Sequence, residues 1–524
     1  MTLPTPIIHA STKSILLPQS QQHLLSEVQG RLALFGDKTV VQIRHDETNT
    51  LALRARGWDL AAPIEVYYDW PKFQGRKEPM PHQKAGAAFH TMNPRSLNQS
   101  QPRTGKTFTV LMAADWLIKS GKVKRVAIFS TLSTMDQVWV KSLFETFHDY
   151  SYVSVHASTA AQRRDILESN TDFAIINHDG CKLLEKEIIA KKFDMVIWDE
   201  ADNLTQSGSD MWKSFHKIAK DVPYVILMGA TIVGERKPTD AWAIAKIINP
   251  NNVPKWWSEF RRQTCYQVTP FKWEPYPHAN QIVANALQPS FCVLKKDVMD
   301  LPELKVVRKE CGLSDQQQKM FRDMKNKLAA DIGDKKLMAI NGADMLTKCL
   351  QILLGVYKAD EDDYQPLDCE PRLEALLECI AATDKKAIVF CGFKGALNYY
   401  CKEVNKHYPS IMVDGSVQKK QRDAKFRDFA GKGGPKVLFA IPKTCAHGLE
   451  FGANCDTIIW LGPISSGKQF SQANERIASM LQESDMKMFY IGANNFEWKR
   501  YDQLEAKRDM ATDILDLCKT VIGS

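Results

Sequence analysis

Two short runs, about ninety residues apart, restrict this chain to one kind of chemistry. Residues 101–109 read QPRTGKTFT, a turn ending on Gly105, Lys106 and Thr107 before a helix-forming stretch. Residues 195–203 read MVIWDEADN, an apolar strand with Asp199 and Glu200 at its tip. The first run has what one side of a triphosphate needs: backbone N–H groups, a lysine for the β- and γ-phosphates and a hydroxyl for Mg²⁺. The second has the other side, a carboxylate to hold the metal and a neighbour to act as base or orient the attacking water. The pair implies a nucleoside triphosphatase, with ATP and Mg²⁺ as cofactors. Lys106, Asp199 and Glu200 are the expected catalytic residues, and Thr107 and Asp199 the expected metal ligands. The string Asp-Glu-Ala-Asp at 199–202 narrows the class to helicase-like motors. The first glycine usual in such a loop is Ser100 here, and Pro102 and Arg103 stiffen it, so Arg103, Thr104, Gly105, Lys106 and Thr107 are the expected nucleotide contacts.

Composition sets the frame around this site. A chain of 524 residues is too long for one core and suggests about three domains. No uninterrupted apolar stretch approaches the roughly 20 residues of a membrane helix, and the first residues lack a signal-peptide core, so a cytoplasmic protein without a membrane partner is expected. Twelve cysteines are scattered singly, which argues for reduced thiols and against a zinc site or disulfide frame. A formal charge of +8 permits a phosphate-backbone partner without demanding one.

Along the chain, residues 1–75 carry no nucleotide motif and read as a small α+β accessory domain, a candidate surface for a protein partner. From 76 to 250, short apolar runs at 125–131, 172–178, 194–200 and 224–231 alternate with helix-forming sequence, the pattern of a buried parallel sheet. Residues 251–380 read as a helical insert, with Trp256 and Trp257 expected in the core or packed between lobes. A second α/β series follows at 381–490, and 491–524 reads as a C-terminal helix. The fold class expected is α/β, with two lobes of parallel sheet flanked by helices and the phosphate loop in the first.

The order of motifs resembles the Swi/Snf-related ATPases of helicase superfamily two over residues 80–485. PHQKAGAAF (81–89) resembles the glutamine motif, which implies that Gln83 reads the adenine edge. FSTLSTMDQVW (129–139), IINHDG (175–180) and MGATIVGERKPTDAWAI (228–244) are similar to the next three segments. FCVLKKDVMDLPEL (291–304) is similar to a stretch that ordinary helicases lack. In the second half, IVFCGF (388–393), VDGSVQKKQRDAKFRDF (413–429), CAHGLEFGANCDTIIW (445–460) and QANERIASMLQ (472–482) resemble motifs IV to VI. The wording near the phosphate loop also resembles compact bacteriophage versions of the family, which would place the protein in a host cytoplasm.

The resemblance implies two RecA-like lobes, ATP held between them, and movement along double-stranded DNA by a protein that acts as a monomer. It adds Gly448 to the nucleotide contacts and makes Arg476 the arginine that neutralises the transferred phosphoryl. Ser130, Thr131, Asn177, Ser416 and Thr444, at strand tips, become the expected backbone contacts to nucleic acid. Lys295 and Lys296 fit either a backbone groove or a solvated face. Motif VI departs from the pattern at Ser479, where a second arginine is usual, and at Leu481, where glycine is usual. Glu450 replaces the asparagine of motif V. Either Arg476 suffices, another basic residue substitutes, or hydrolysis is slow. Two alternatives therefore stand beside the translocase: a strand-separating DNA or RNA helicase, and a hydrolysis-impaired nucleic-acid-binding or inhibitory protein.

Overall fold

A computed structural model describes residue 3 and residues 5–72, 78–230, 238–270, 272–298, 302–331, 347–360, 363–445, 451, 454–477 and 484–506. Thr231, Gly448, Glu450, Ser479 and Leu481, and the C-terminal helix beyond 506, lie outside these residues. The chain divides into two units, 1–298 with 513–524, and 299–512.

The first unit opens with a four-stranded antiparallel sheet in the order Ile7–His9, Ser14–Pro18, Lys38–Arg44, Gly30–Phe35. One face, with Ile15, Leu17, Val41 and Ile43, closes on Leu24, Leu53, Trp58 and Leu60. The helix Glu47–Arg54 starts at Asp46, whose carboxylate accepts from the Asn49 N–H at 2.9 Å, a side-chain N-cap. This module is tied to the helix that follows the phosphate loop, Lys106–Lys119. Glu47 accepts from the Trp116 indole at 2.8 Å and pairs with Lys122. Buried Asp115 accepts hydroxyls from Tyr68 and Tyr150 and pairs with Lys119 at 2.9 Å.

Beyond it lies a seven-stranded parallel sheet, ordered Ser290–Phe291, Arg95–Asn98, Tyr224–Met228, Met195–Trp198, Val126–Ser130, Phe173–Asn177, Tyr152–Val155. Its central strands are buried on both faces, which is why they read as unbroken apolar runs. Parallel strands all end at one edge, so the tips at Asn98, Ser130, Asn177 and Trp198 share it.

The second unit holds a six-stranded parallel sheet, ordered Leu304–Glu310, Met486–Gly492, Cys455–Trp460, Lys386–Phe390, Val437–Ala440, Ser410–Val413. Helices on its two faces bury separate clusters, one around Phe390, Trp460 and Tyr501 and one around Leu376, Val389 and Tyr400. Two RecA-like lobes, each a parallel sheet with flanking helices, are therefore present.

The stretch read as a helical insert is only partly helical. It contributes a strand to each sheet, Ser290–Phe291 to the first and Leu304–Glu310 to the second, and two hairpins. Leu304–Glu310 is an edge strand paired on one side, so Lys305, Arg308, Lys309 and Glu310 can stay in contact with water and hide the strand from an apolar-run reading. Trp256 and Trp257 are not core residues, at 63% and 39% exposure. The short helix Trp257–Thr264 buries Phe260 and Thr264, whereas Trp256 is its N-cap and Trp257 its first residue, and both remain exposed at that end.

Candidate active site

The strand Arg95–Asn98 runs into the loop before the helix Lys106–Lys119. Gly105 caps that helix with φ of +79°, a left-handed conformation, and a Cβ there would lie 2.0 Å from the Gln83 amide nitrogen. Only glycine meets both demands. Gln83 sits in the first turn of the helix Pro81–Met92, where its Oε1 accepts from the Met80 N–H at 2.8 Å. Its amide thus lies against the loop while its carbonyl caps its own helix.

The loop is held by its own groups. The Thr104 hydroxyl donates to Gln101 O at 2.9 Å, and His82 Nε2 lies 2.9 Å from Thr104 O. Lys106 Nζ donates to Ser100 O at 2.7 Å and Gln101 O at 3.0 Å. Thr107 follows in the first helical turn, half-buried. On its outer side the loop is zipped to the segment that sequence reading found most family-specific. Leu97, Gln99 and Gln101 donate their N–H groups to Pro289, Phe291 and Val293 carbonyls at 3.0, 2.8 and 2.9 Å, and Gln101 Oε1 accepts from the Lys295 N–H at 2.8 Å.

The second half of the site comes from the centre of the same sheet. Buried Met195–Trp198 delivers Asp199, whose N–H continues the ladder to Phe129 O at 2.8 Å. Glu200 then turns left-handed, with φ of +56°, a conformation costing a non-glycine residue on the order of 1 kcal/mol and typical of functional sites. Asp199 is oriented through both oxygens: Oδ1 accepts from the Glu200 N–H at 3.0 Å and Oδ2 from the Trp139 indole at 3.2 Å. Trp139 lies in a π-helical turn, Met135–Val140, whose extra residue re-aims the side chain. His178 stacks on Trp198 with centroids 4.6 Å apart, and its Nε2 lies 3.0 Å from Asp199 O.

The two halves sense each other's charge. Burial brings the Lys106 ammonium down to about 8, against the opposing pull of Asp199, Cys292 and Glu200. Burial also pushes the Asp199 carboxyl up to about 6, with Glu200 adding to the push and Trp139 and Lys106 opposing it. A cation and an anion both disfavoured by burial, without a direct ion pair, suit a ligand that carries both signs. A polyphosphate would stabilise the lysine and a divalent cation the carboxylate. The donors at hand, the Asp199 carboxylate and the Thr107 hydroxyl, are hard oxygens that fit Mg²⁺. No group of three or more His, Cys, Asp or Glu suited to a metal occurs among the described residues.

The expected nucleic-acid contacts fall in three settings. Ser130 and Asn177 pair in register on adjacent strands, both buried, with the Arg163 guanidinium 3.5 Å from Asn177 Oδ1. Thr131, half-exposed, has its hydroxyl within 3.1 Å of Ser133 and 2.9 Å of Thr134. In the second unit Ser416 is exposed and donates to Asp414 at 2.6 Å, with Lys394 Nζ 3.3 Å away, and Thr444 donates to Ile441 O at 2.7 Å. Arg476 is buried there, its Nε donating to Gln472 O at 3.1 Å. Lys106, Asp199 and Glu200 are brought together in one unit, beside Gln83, Thr104, Gly105 and Thr107. Sequence reading missed the part played by Trp139, whose position at the end of the 129–139 segment was its signal, and by Gln101.

A glycine-capped loop with a buried lysine and an acidic strand tip therefore meet at one end of the first parallel sheet. The helicase conserved C-terminal domain matches residues 371–480. The chain is 21% identical over 422 residues to the SWI/SNF-related matrix-associated actin-dependent regulator of chromatin subfamily A-like protein 1 of Drosophila melanogaster, covering 79% of this chain and 53% of the relative. An uncharacterized ATP-dependent helicase of Mycoplasma genitalium is 21% identical over 411 residues, 77% of this chain and 38% of its own. The chain thus spans about half or less of these relatives. The Sulfolobus solfataricus SWI2/SNF2 ATPase core in complex with dsDNA is 17% identical, with a TM-score of 0.41 over 86% of this chain and 96% of that one. Over most of its length the chain is thus similar to SWI/SNF-related and helicase proteins, and its second unit carries the helicase conserved C-terminal domain.

Proposed function

We propose that the protein hydrolyses ATP at Lys106, Asp199 and Glu200 and uses the energy to move along double-stranded DNA. The observation that carries this reading is the convergence of Lys106 with Asp199 and Glu200, where burial lowers the lysine to about 8 and raises the Asp199 carboxyl to about 6. Gly105 and the N-terminal N–H groups of the helix Lys106–Lys119 would cradle the phosphates, with Lys106 on the β- and γ-oxygens. Mg²⁺, held by Thr107 and Asp199, would offset charge on the transferred phosphoryl. Glu200, set at the tip by its left-handed turn, would orient water for in-line attack and take its proton. Arg476 is the residue the family pattern uses to neutralise that phosphoryl. The chain's net charge of +8 and its polar strand tips support a phosphate-backbone partner read without regard to sequence.

Serine at positions 100 and 479 favours a second reading, a motor that binds nucleotide and DNA with little turnover. Steady-state hydrolysis with long duplex DNA, single-stranded DNA and RNA as stimulators separates the two. Strong stimulation by duplex, lost in Glu200→Gln, is the expected result. Preference for single strands or RNA would favour a strand-separating helicase. Absence of turnover with retained DNA binding would leave only the second reading.

A further inference from the structure

The segment 255–278 is unlike the rest of the surface. Seven of its 24 residues are Phe, Tyr or Trp, against 9% for the whole chain, and its four cations, Lys255, Arg261, Arg262 and Lys272, face only two acids, Glu259 and Glu274. The helix Trp257–Thr264 and the hairpin Cys265–Thr269 with Lys272–Pro275 carry these side chains. Trp256 is 63% exposed, with the Lys255 ammonium 5.1 Å from its ring centroid. The Arg261 guanidinium sits between two indoles, 4.8 Å from Trp257 and 4.1 Å from Trp273. Glu274 is taken up by Lys272 at 2.6 Å and by the Tyr266 hydroxyl at 3.1 Å. Among the described residues, Lys255, Arg261 and Arg262 have no carboxylate within ion-pair distance, and Lys255 and Arg262 are exposed.

An exposed indole is costly in water, and a cluster of them beside unneutralised cations needs a partner with flat apolar faces and negative charge. Unpaired nucleic acid has both: bases that stack on indoles and phosphates that meet the cations. A duplex hides its base faces and satisfies only the cations. We propose that residues 255–270 and 272–278 form a docking surface for single-stranded DNA, with Trp256 as a stacking platform, Lys255 and Arg262 as phosphate contacts, and the Trp257–Arg261–Trp273 ladder as its rigid base. A motor so equipped would hold an unpaired strand at a junction while acting on the duplex beside it.

Fluorescence anisotropy of labelled dT20 and of a hairpin-capped duplex, with the full chain and no nucleotide, tests this without relying on hydrolysis. Trp256→Ala should weaken dT20 binding roughly tenfold and capped-duplex binding less than twofold, while Trp256→Phe should restore most of the loss. Lys255→Ala with Arg262→Ala should weaken dT20 binding and flatten its salt dependence by about 1.4 in the log–log slope, the contribution of two phosphate contacts. Because Trp256 is exposed, the melting temperature of Trp256→Ala should match that of the wild type. The proposal is overturned if the wild type fails to bind dT20 or if both variants bind it unchanged. It is equally overturned if Trp256→Ala loses as much affinity for capped duplex as for dT20.

Discussion

Both parallel sheets bury charge, and they do so in opposite ways. In the second, Arg372 and Glu497 are 1% and 0% exposed and meet at 2.6 Å. Arg372 also donates to Leu461 O at 2.5 Å, and Glu497 accepts from the Ala493 N–H at 2.8 Å. Burial opposes the charge on Arg372, but Glu497 outweighs it and holds the guanidinium's pKa above its usual value. Arg372 Nε and Glu497 Oε1 find no hydrogen-bond partner among the described residues, so the match is close without being complete. In the first sheet, Lys106 bonds only neutral carbonyls, and the protonation of Lys106 and Asp199 is shifted towards the neutral forms. A matched buried pair braces a fold. Unmatched charges gathered at a strand edge are kept for something that arrives.

The contrast is most easily broken from the second sheet. Glu497→Ala strands a buried guanidinium and should cost about 3–5 kcal/mol in urea unfolding, while replacing both partners with Met and Leu should recover most of it. Lys106→Ala should change unfolding by less than about 1 kcal/mol. It should still weaken binding of a fluorescent ATP analogue by at least about tenfold, since a charge-assisted hydrogen bond contributes roughly 1.5–3 kcal/mol. Equal destabilisation by the two substitutions would erase the distinction. Trp139→Phe keeps a ring and deletes the N–H that orients Asp199. Turnover should fall about fivefold and the Mg²⁺ requirement rise, at unchanged ATP affinity, because a lost neutral hydrogen bond is worth about 1 kcal/mol. A rise in KM with unchanged kcat would instead make Trp139 a packing residue.

The smallest effect is a proton count. With its pKa lowered to about 8, Lys106 is partly neutral near that pH and fully charged below it. Phosphate contact favours the ammonium, so ATP binding near pH 8 should take up about half a proton, fading towards pH 6.5. Calorimetry in buffers of different ionisation enthalpy reads this directly, and proton release would contradict it.

Much of this was legible in the sequence, because strands buried on both faces are written as unbroken apolar runs and the phosphate loop and acidic tip are local patterns. What stayed hidden follows from geometry that sequence does not carry. Met486–Gly492, a central strand of the second sheet, interleaves lysine at 487 with its apolar residues because that side chain reaches Asp384 at the sheet end. Gln101 looks like an ordinary loop residue, and only the fold lays 289–295 beside it. Trp256 shares its composition with core tryptophans elsewhere, and only its place at the start of a two-turn helix leaves it in water. The adenine role expected of Gln83 meets a local competitor, the cap on Met80.

The claim that loop 99–107 and the Asp199–Glu200 tip form one ATP site is tested most directly by pairing equilibrium binding with single-turnover hydrolysis in Glu200→Gln. ATP affinity within about twofold of wild type, with the chemical step slowed by at least about a hundredfold, is the expected result. Hydrolysis at the wild-type rate in Glu200→Gln, or loss of ATP binding along with it, would contradict the assignment.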